Sequence, residues 1–294
     1  VATSNTGYTF VNWTENGQLV STEVTCEFTV TGDRNLEANF SANSYEVSVS
    51  ANPTVGGTVN GGGTYQFGQT CTVTAESNTG YTFINWTEDG QQVSSNTTYE
   101  FTVTGDRNLV ANFSANSYVV IVDVDPEVGG TITGAGGYEY GQTCSLSAVP
   151  NTGYHFVNWT ENGQQVSNDL TYEFTVTSNC NFVAHFALNE HEINVEVDDG
   201  GEIIGDGPYY YGDTCVLVAI PDDCYEFVGW MENDEVVSTE PNYSFVVEGD
   251  RTIVASFALL HYDLEIAYDT IMGTCFGDGN YQCGDSCTIT AIPQ

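Results

Sequence analysis

The sequence predicts an all-β chain, a tandem array of small modules of about 70 residues that together form a rod, and three observations carry that prediction. A block recurs: Tyr8-Thr-Phe-Val-Asn-Trp13 returns at 81–86, 154–159 and 225–230, at intervals of 73, 73 and 71 residues. Apolar and polar residues alternate, as in Tyr45, Val47 and Val49. That is the period of a half-buried strand. No window of eleven residues shows a helical period.

Within one period the elements follow in order. Tyr45 to Val49 opens as a strand, and Gly56-Gly57 and Gly61-Gly62-Gly63 turn the chain. A Gly-Gln-Thr-Cys71 block comes next and returns as Gly-Gln-Thr-Cys144, Gly-Asp-Thr-Cys215 and Gly-Asp-Ser-Cys287. Tyr81 and Phe83 alternate toward Trp86, Asp89-Gly90 makes a tight turn, and Phe101-Val103 and Leu109-Ala111-Phe113 supply two more strands around Gly105-Asp106. The expectation is about six or seven short strands per module.

Composition narrows the partners. Three Lys+Arg against 40 Asp+Glu leave a net charge of −37 in 294 residues. A chain with no lysine and three arginines cannot lay a basic stripe along phosphates, so nucleic-acid binding is excluded. Anionic membrane surfaces are disfavoured for the same reason, and no apolar run approaches the ~18 residues of a membrane helix. Nine cysteines without CxxC pairs, in an Asn/Ser/Thr/Gly-rich chain, point to an oxidising compartment, secreted or at the cell surface. The chain begins at Val1 without a signal-peptide pattern, as a processed form or a segment of something longer would.

Gly-Tyr-x-Phe-x-x-Trp, then Gly-x-x-Val-Ser, Tyr-x-Phe-Thr-Val-Thr-x-Asp and Leu-x-Ala-x-Phe, preceded by Gly-Gly-Thr and Tyr-x-x-Gly, resembles the divergent internalin-B-type B repeat of bacterial surface proteins. The resemblance spans the chain. It implies a β-rich module, open to a β-grasp-like arrangement, strung in tandem on exported proteins as spacer or adhesive segments, with no catalytic residues. It sets modules at 45–117, 118–190 and 191–261, with 1–44 the C-terminal half of a module and 262–294 the N-terminal half of another. The linkers 41–44 and 114–117 are four residues each, too short for free rotation.

Candidate residues follow from the repeat. Trp13, Trp86, Trp159 and Trp230 recur once per module, as core anchors do. Arg34, Arg107 and Arg251 all sit in a Gly-Asp-Arg turn. They either cover an aromatic ring or pair with a carboxylate locally, or serve as cationic contacts between modules. Asn12, Asn85 and Asn158 are glycosylation sequons directly before the repeat Trp; Asn39, Asn96, Asn112 and Asn242 are further sequons. Carboxylates gather at Asp123, Asp125 and Glu127, at Asp198, Asp199, Glu202 and Asp206, at Asp222 and Asp223, and at Glu232 and Glu235. None follows a calcium-loop pattern, so no cofactor is expected, with calcium at these clusters the one alternative. His155, His185, His191 and His261 share no common position, and no nucleophile and base recur together, so the chain is read as non-enzymatic.

Local pairing of cysteines predicts Cys144–Cys180, Cys215–Cys224 and a Cys275–Cys283 bridge, leaving Cys71 as the unpaired thiol. Residues 8–45 and 81–118 match at 30 of 38 positions, outward ones included, which suits a copied spacer. The functional expectation is a stalk or the subunit of a surface filament; the rival is an adhesin whose repeats bind a host protein or glycan. The terminal halves are read either as a stretch of a longer array or as partners, 262–294 of one chain completing 1–44 of the next, with Cys287 and Cys26 brought into one composite module.

Overall fold

A computed structural model describes residues 1–293. They form two compact units, Val1–Ile121 with Ala135–Ser145 and Glu173–Cys180, and Val122–Gly134 with Leu146–Tyr172 and 181–293. In the first, β1 (Tyr8–Glu15), β2 (Gln18–Ser21) and β3 (Leu36–Ala42) make a three-stranded sheet. They are followed by β4 (Ser44–Asn52), β5 (Gly57–Asn60), β6 (Gly63–Gln66), β7 (Thr70–Ser77), β8 (Tyr81–Glu88), β9 (Gln91–Ser94), β10 (Thr98–Thr102) and β11 (Arg107–Ala115).

These eight strands, rather than six or seven, make two facing sheets in the order β6-β4-β11-β8-β9 and β10-β7-β5. The extra pieces are four-residue hairpin strands that the turn residues do not mark separately. At the centre of the larger sheet β4 and β11 run parallel, Val47 opposite Arg107 and Ala51 opposite Ala111, while the other pairs are antiparallel. No α-helix crosses the sheet among the described residues; the three-stranded sheet covers it instead. The core lies between the two: Val47, Trp86, Leu109 and Ala111 from one side meet Cys71, Val73 and Ala75 from the other, closed by Val103 just past β10.

Strict alternation along β8 would turn Asn85 inward and Trp86 outward, because Tyr81 and Phe83 already face in. The pairing with β11 slips instead: Phe83 opposes Phe113 and Asn85 opposes Asn112, leaving Ile84 extra. This bulge reverses the phase of the strand and puts the indole in the core, where it is fully buried. The slip recurs at Val11 and Val228, between Phe10 and Asn12 and between Phe227 and Gly229.

The second unit repeats the two-sheet plan over 190–259. Glu190–Val197 runs parallel to Arg251–Leu259 in a five-stranded sheet, and Gly201–Ile204, Thr214–Pro221 and Asn242–Val246 form the covering sheet. Its core is Ile193, Cys215, Leu217, Trp230, Val247, Ile253 and Ala255. The period between contributes Ser117–Val120 paired with Gly136–Glu139 to the first unit, and Tyr154–Glu161 between Gln164–Ser167 and residues 182–188 to the second. Beyond 260 there are two small two-stranded sheets, His261–Leu264 with Gly279–Gln282 and Gly273–Phe276 with Thr290–Pro293.

Candidate functional site

Each repeat arginine works inside its own repeat. Arg107 leaves the start of β11 and reaches Glu88 at the end of β8 at 2.5 Å; Arg34 reaches Glu15 at 2.7 Å and Arg251 reaches Glu232 at 2.6 Å. The guanidinium also lies over a ring, 4.2 Å from Phe101, 4.5 Å from Phe28 and 4.0 Å from Phe245. Its hydrogen bonds hold the Glu88 and Glu232 carboxyls below the usual carboxylate range. The reading of Arg34, Arg107 and Arg251 as contacts between modules is therefore corrected: each guanidinium is spent locally, its N–H edge on the glutamate and its face on the ring. The aspartate beside the arginine ties the turn to the first strand, Asp106 Oδ1 accepting from Glu46 N at 2.8 Å and Asp250 Oδ1 from Glu192 N at 3.1 Å.

The indole N–H groups of Trp86, Trp159 and Trp230 donate to Thr97 O, Asp169 O and Glu240 O. Trp13 is only part-buried, and its N–H has no partner. The recurring cysteine is a core residue: Cys71, Cys144 and Cys215 are fully buried, and the thiols of Cys71 and Cys215 donate to Gly61 O and Gly205 O at 3.5 Å. Burial pushes the Cys215 thiol up. Cys287 in the same place is exposed.

Where one repeat meets the next, the same backbone relay appears four times. Asn43 N donates to Gly7 O and Phe67 N to Asn43 O, both at 2.8 Å. Asn116 links Gly80 to Tyr140, Asn189 links Gly153 to Tyr211, and Leu260 links Cys224 to Cys283, at 2.8–2.9 Å. The four-residue linker is thus nearly all strand; between β3 and β4 only Asn43 stands outside. At the first three junctions the aromatic ring lies on the glycine, so that a Cβ at Gly7, Gly80 or Gly153 would fall 2.1 Å from it. At the fourth the two positions are a disulfide, Cys224–Cys283, with Cα atoms 5.5 Å apart.

That bond corrects two predicted pairings. Cys224 is not joined to Cys215, whose thiol is sealed in the core, and Cys283 is not joined to Cys275. The Cys144–Cys180 bridge is not formed either: Cys144 is inside the core, whereas Cys180 occupies the arginine position at the start of its strand, its thiol donating to Ser178 O. Pairing by module misses the observed bond because it crosses a boundary. The signal was in the register: Cys224 stands where Gly7, Gly80 and Gly153 stand, and Cys283 where Phe67, Tyr140 and Tyr211 stand.

The divergent InlB B-repeat domain family matches residues 1–44, 47–117, 120–190 and 191–260. The chain belongs to this family. Among curated proteins, a "Putative membrane protein" of Evansella cellulosilytica is 24% identical over 188 residues, 63% of this chain and 28% of that protein, so the chain spans well under a third of the relative's length. Among solved structures, the Bacillus anthracis TIE protein aligns over 76% of this chain and 54% of its own with 9% identity and a TM-score of 0.33.

On the outward face of these B repeats the sequon asparagines are engaged. Asn12 Oδ1 accepts from Asn39, Asn85 Oδ1 from Asn112, and the Asn85 and Asn158 amides donate to Gln92 and Gln165. Among the described residues no three His, Cys, Asp or Glu side chains converge as a metal cluster would. Nor is any helix long and apolar enough to cross a membrane.

Proposed function

We propose that this chain is a non-enzymatic part of a bacterial surface protein, a stretch of stalk in which B repeats are joined end to end in a semi-fixed array. The observation that carries the reading is the junction relay, four times the same two backbone hydrogen bonds with no free linker between. A joint built from strand-to-strand continuity resists bending more than a flexible tether does. The membrane-protein description of the relative supports a surface location. Small-angle scattering of the purified chain tests it: an elongated particle with a cross-section of one module is expected, and a compact or freely jointed ensemble would overturn it.

A filament form of the same reading has its own support. Residues 1–44 leave Phe40 and Val30 exposed where whole repeats cover them, and 262–293 leave Ile289 and Cys287 exposed where whole repeats bury Leu217 and Cys215. A second copy can supply the missing half as well as a neighbouring segment can. A concentration-dependent ladder on sizing and non-reducing gels, lost in Cys26→Ser, is the expected result for head-to-tail joining through Cys26 and Cys287. The adhesin reading rests on outward divergence, Val119 and Ile121 standing exposed where Glu46 and Ser48 stand in the preceding repeat.

A further inference from the structure

We propose that Cys224–Cys283 is a redox-addressed lock on one repeat junction, a covalent replacement for the glycine–aromatic lid of the other three. The inference stands on the junction geometry and holds whether or not the chain is a stalk.

Three features of the ordinary junction are missing from the fourth. The asparagine whose side chain fastens the first three joints, accepting from Thr9 Oγ1 at 2.6 Å and from Thr82 Oγ1 at 2.7 Å and bonding His155 Nδ1 at 3.0 Å, is replaced by Leu260, which has no polar atom to offer. The lid ring is gone, and with it edge-to-face contacts such as Tyr8 with Phe67 at 5.8 Å and Tyr81 with Tyr140 at 6.0 Å. Tyr262, equivalent to Tyr45 and Tyr118 that pack against those lids, is left exposed. What remains is the backbone relay and the disulfide.

The two cysteines also require each other. Cys224 keeps the left-handed backbone of the glycines it replaces, φ +73° against +81° or +82°, a conformation a side chain adopts at a cost. An aromatic residue at 283 would meet its Cβ, as the 2.1 Å approaches at Gly7, Gly80 and Gly153 show. Glycine with a ring, and cysteine with cysteine, are the two combinations found at the four joints.

The switch is ordinary thiol–disulfide exchange. A dithiol attacks one sulfur, the S–S bond breaks, both cysteines end as thiols, and the reagent gives up two electrons and two protons as it closes to its own disulfide. Reduced, the joint has neither lid nor bridge. Both cysteines are half-buried, so a small dithiol can reach them.

Hydrogen exchange of the whole chain with and without dithiothreitol tests the proposal. Exchange at Leu260, Cys283 and strand His261–Leu264 should rise at least tenfold on reduction, while Asn43, Asn116 and Asn189 at the lidded joints keep their rates. The double variant C224G/C283Y should restore a lid and hold the joint equally with or without reductant, whereas Cys283→Tyr alone should loosen it. Unchanged exchange on reduction, alkylation of both thiols in unreduced protein, or a double variant as mobile as the reduced chain would each overturn it.

Discussion

Residues 8–45 and 81–118 are nearly the same sequence in two settings, and they do not fold alike. In the second, Thr98–Thr102 is a strand paired with β7, Thr102 opposite Thr70 and Thr98 opposite Thr74. In the first, the corresponding residues 25–29 form no strand, although Glu27-Phe-Thr-Val30 repeats Glu100-Phe-Thr-Val103 letter for letter. Val103 is 0% exposed and Val30 73%; Phe113 is 7% and Phe40 40%. Only the β1-β2-β3 sheet, whose strands all lie within the segment, forms in both. The same reciprocal loss marks 286–289, coil where the equivalent 214–217 are strand. A strand here is a property of a pair, and a sequence that codes one partner does not by itself make the ladder.

The comparison can be broken first at its widest gap. Val103→Asp places a charge in a closed core and should cost about 4 kcal/mol or more, abolishing exchange protection across β7 and β10, while Val30→Asp should change stability by less than about 0.5 kcal/mol. If the two cost the same, the difference in burial is not what separates the segments. Next, Trp86→Ala should destabilise its repeat by about 3–5 kcal/mol, read from chemical denaturation followed at that module's amides, and Trp13→Ala by less than half of that, since its ring is part-exposed and its N–H already unpaired.

Adding residues 45–73 ahead of Val1 sharpens the comparison from the other side. The appended segment supplies the partner strand, so amides 25–29 should gain at least tenfold protection, about 1.4 kcal/mol, and Trp13 emission should shift to the blue. The smallest effect is in acid. Glu88 titrates below its ordinary value of 4.5, so the unfolded carboxyl takes up its proton first as pH falls. The Arg107 pairing therefore adds a small stabilisation above that value, screened by solvent, and it is lost as pH drops through the lowered folded pKa. Arg107→Gln should flatten that acid slope in urea titrations of the 45–117 repeat.

Much of the site was legible. The Gly-Asp-Arg turn foretold a local clamp among its alternatives, and the structure chose it because Glu88 stands on the adjacent strand and the Phe101 ring on the facing sheet. Nearness in sequence mispairs the cysteines, because Cys224 and Cys283 lie 59 residues apart and meet only where consecutive repeats abut.

Sequence by itself determined the repeat, its length, its strand-forming alternation and which positions are apolar, since these are local properties written in side chains and spacing. Tertiary structure alone decided three things. It inserted Ile84 as a bulge so that Trp86 faces inward against the plain period of its strand. It withheld a strand from 25–29 where the partner is missing. And it brought Gly80 under Tyr140 and Cys224 against Cys283, because a contact between repeats depends on how completed sheets abut, which no single period of the sequence contains.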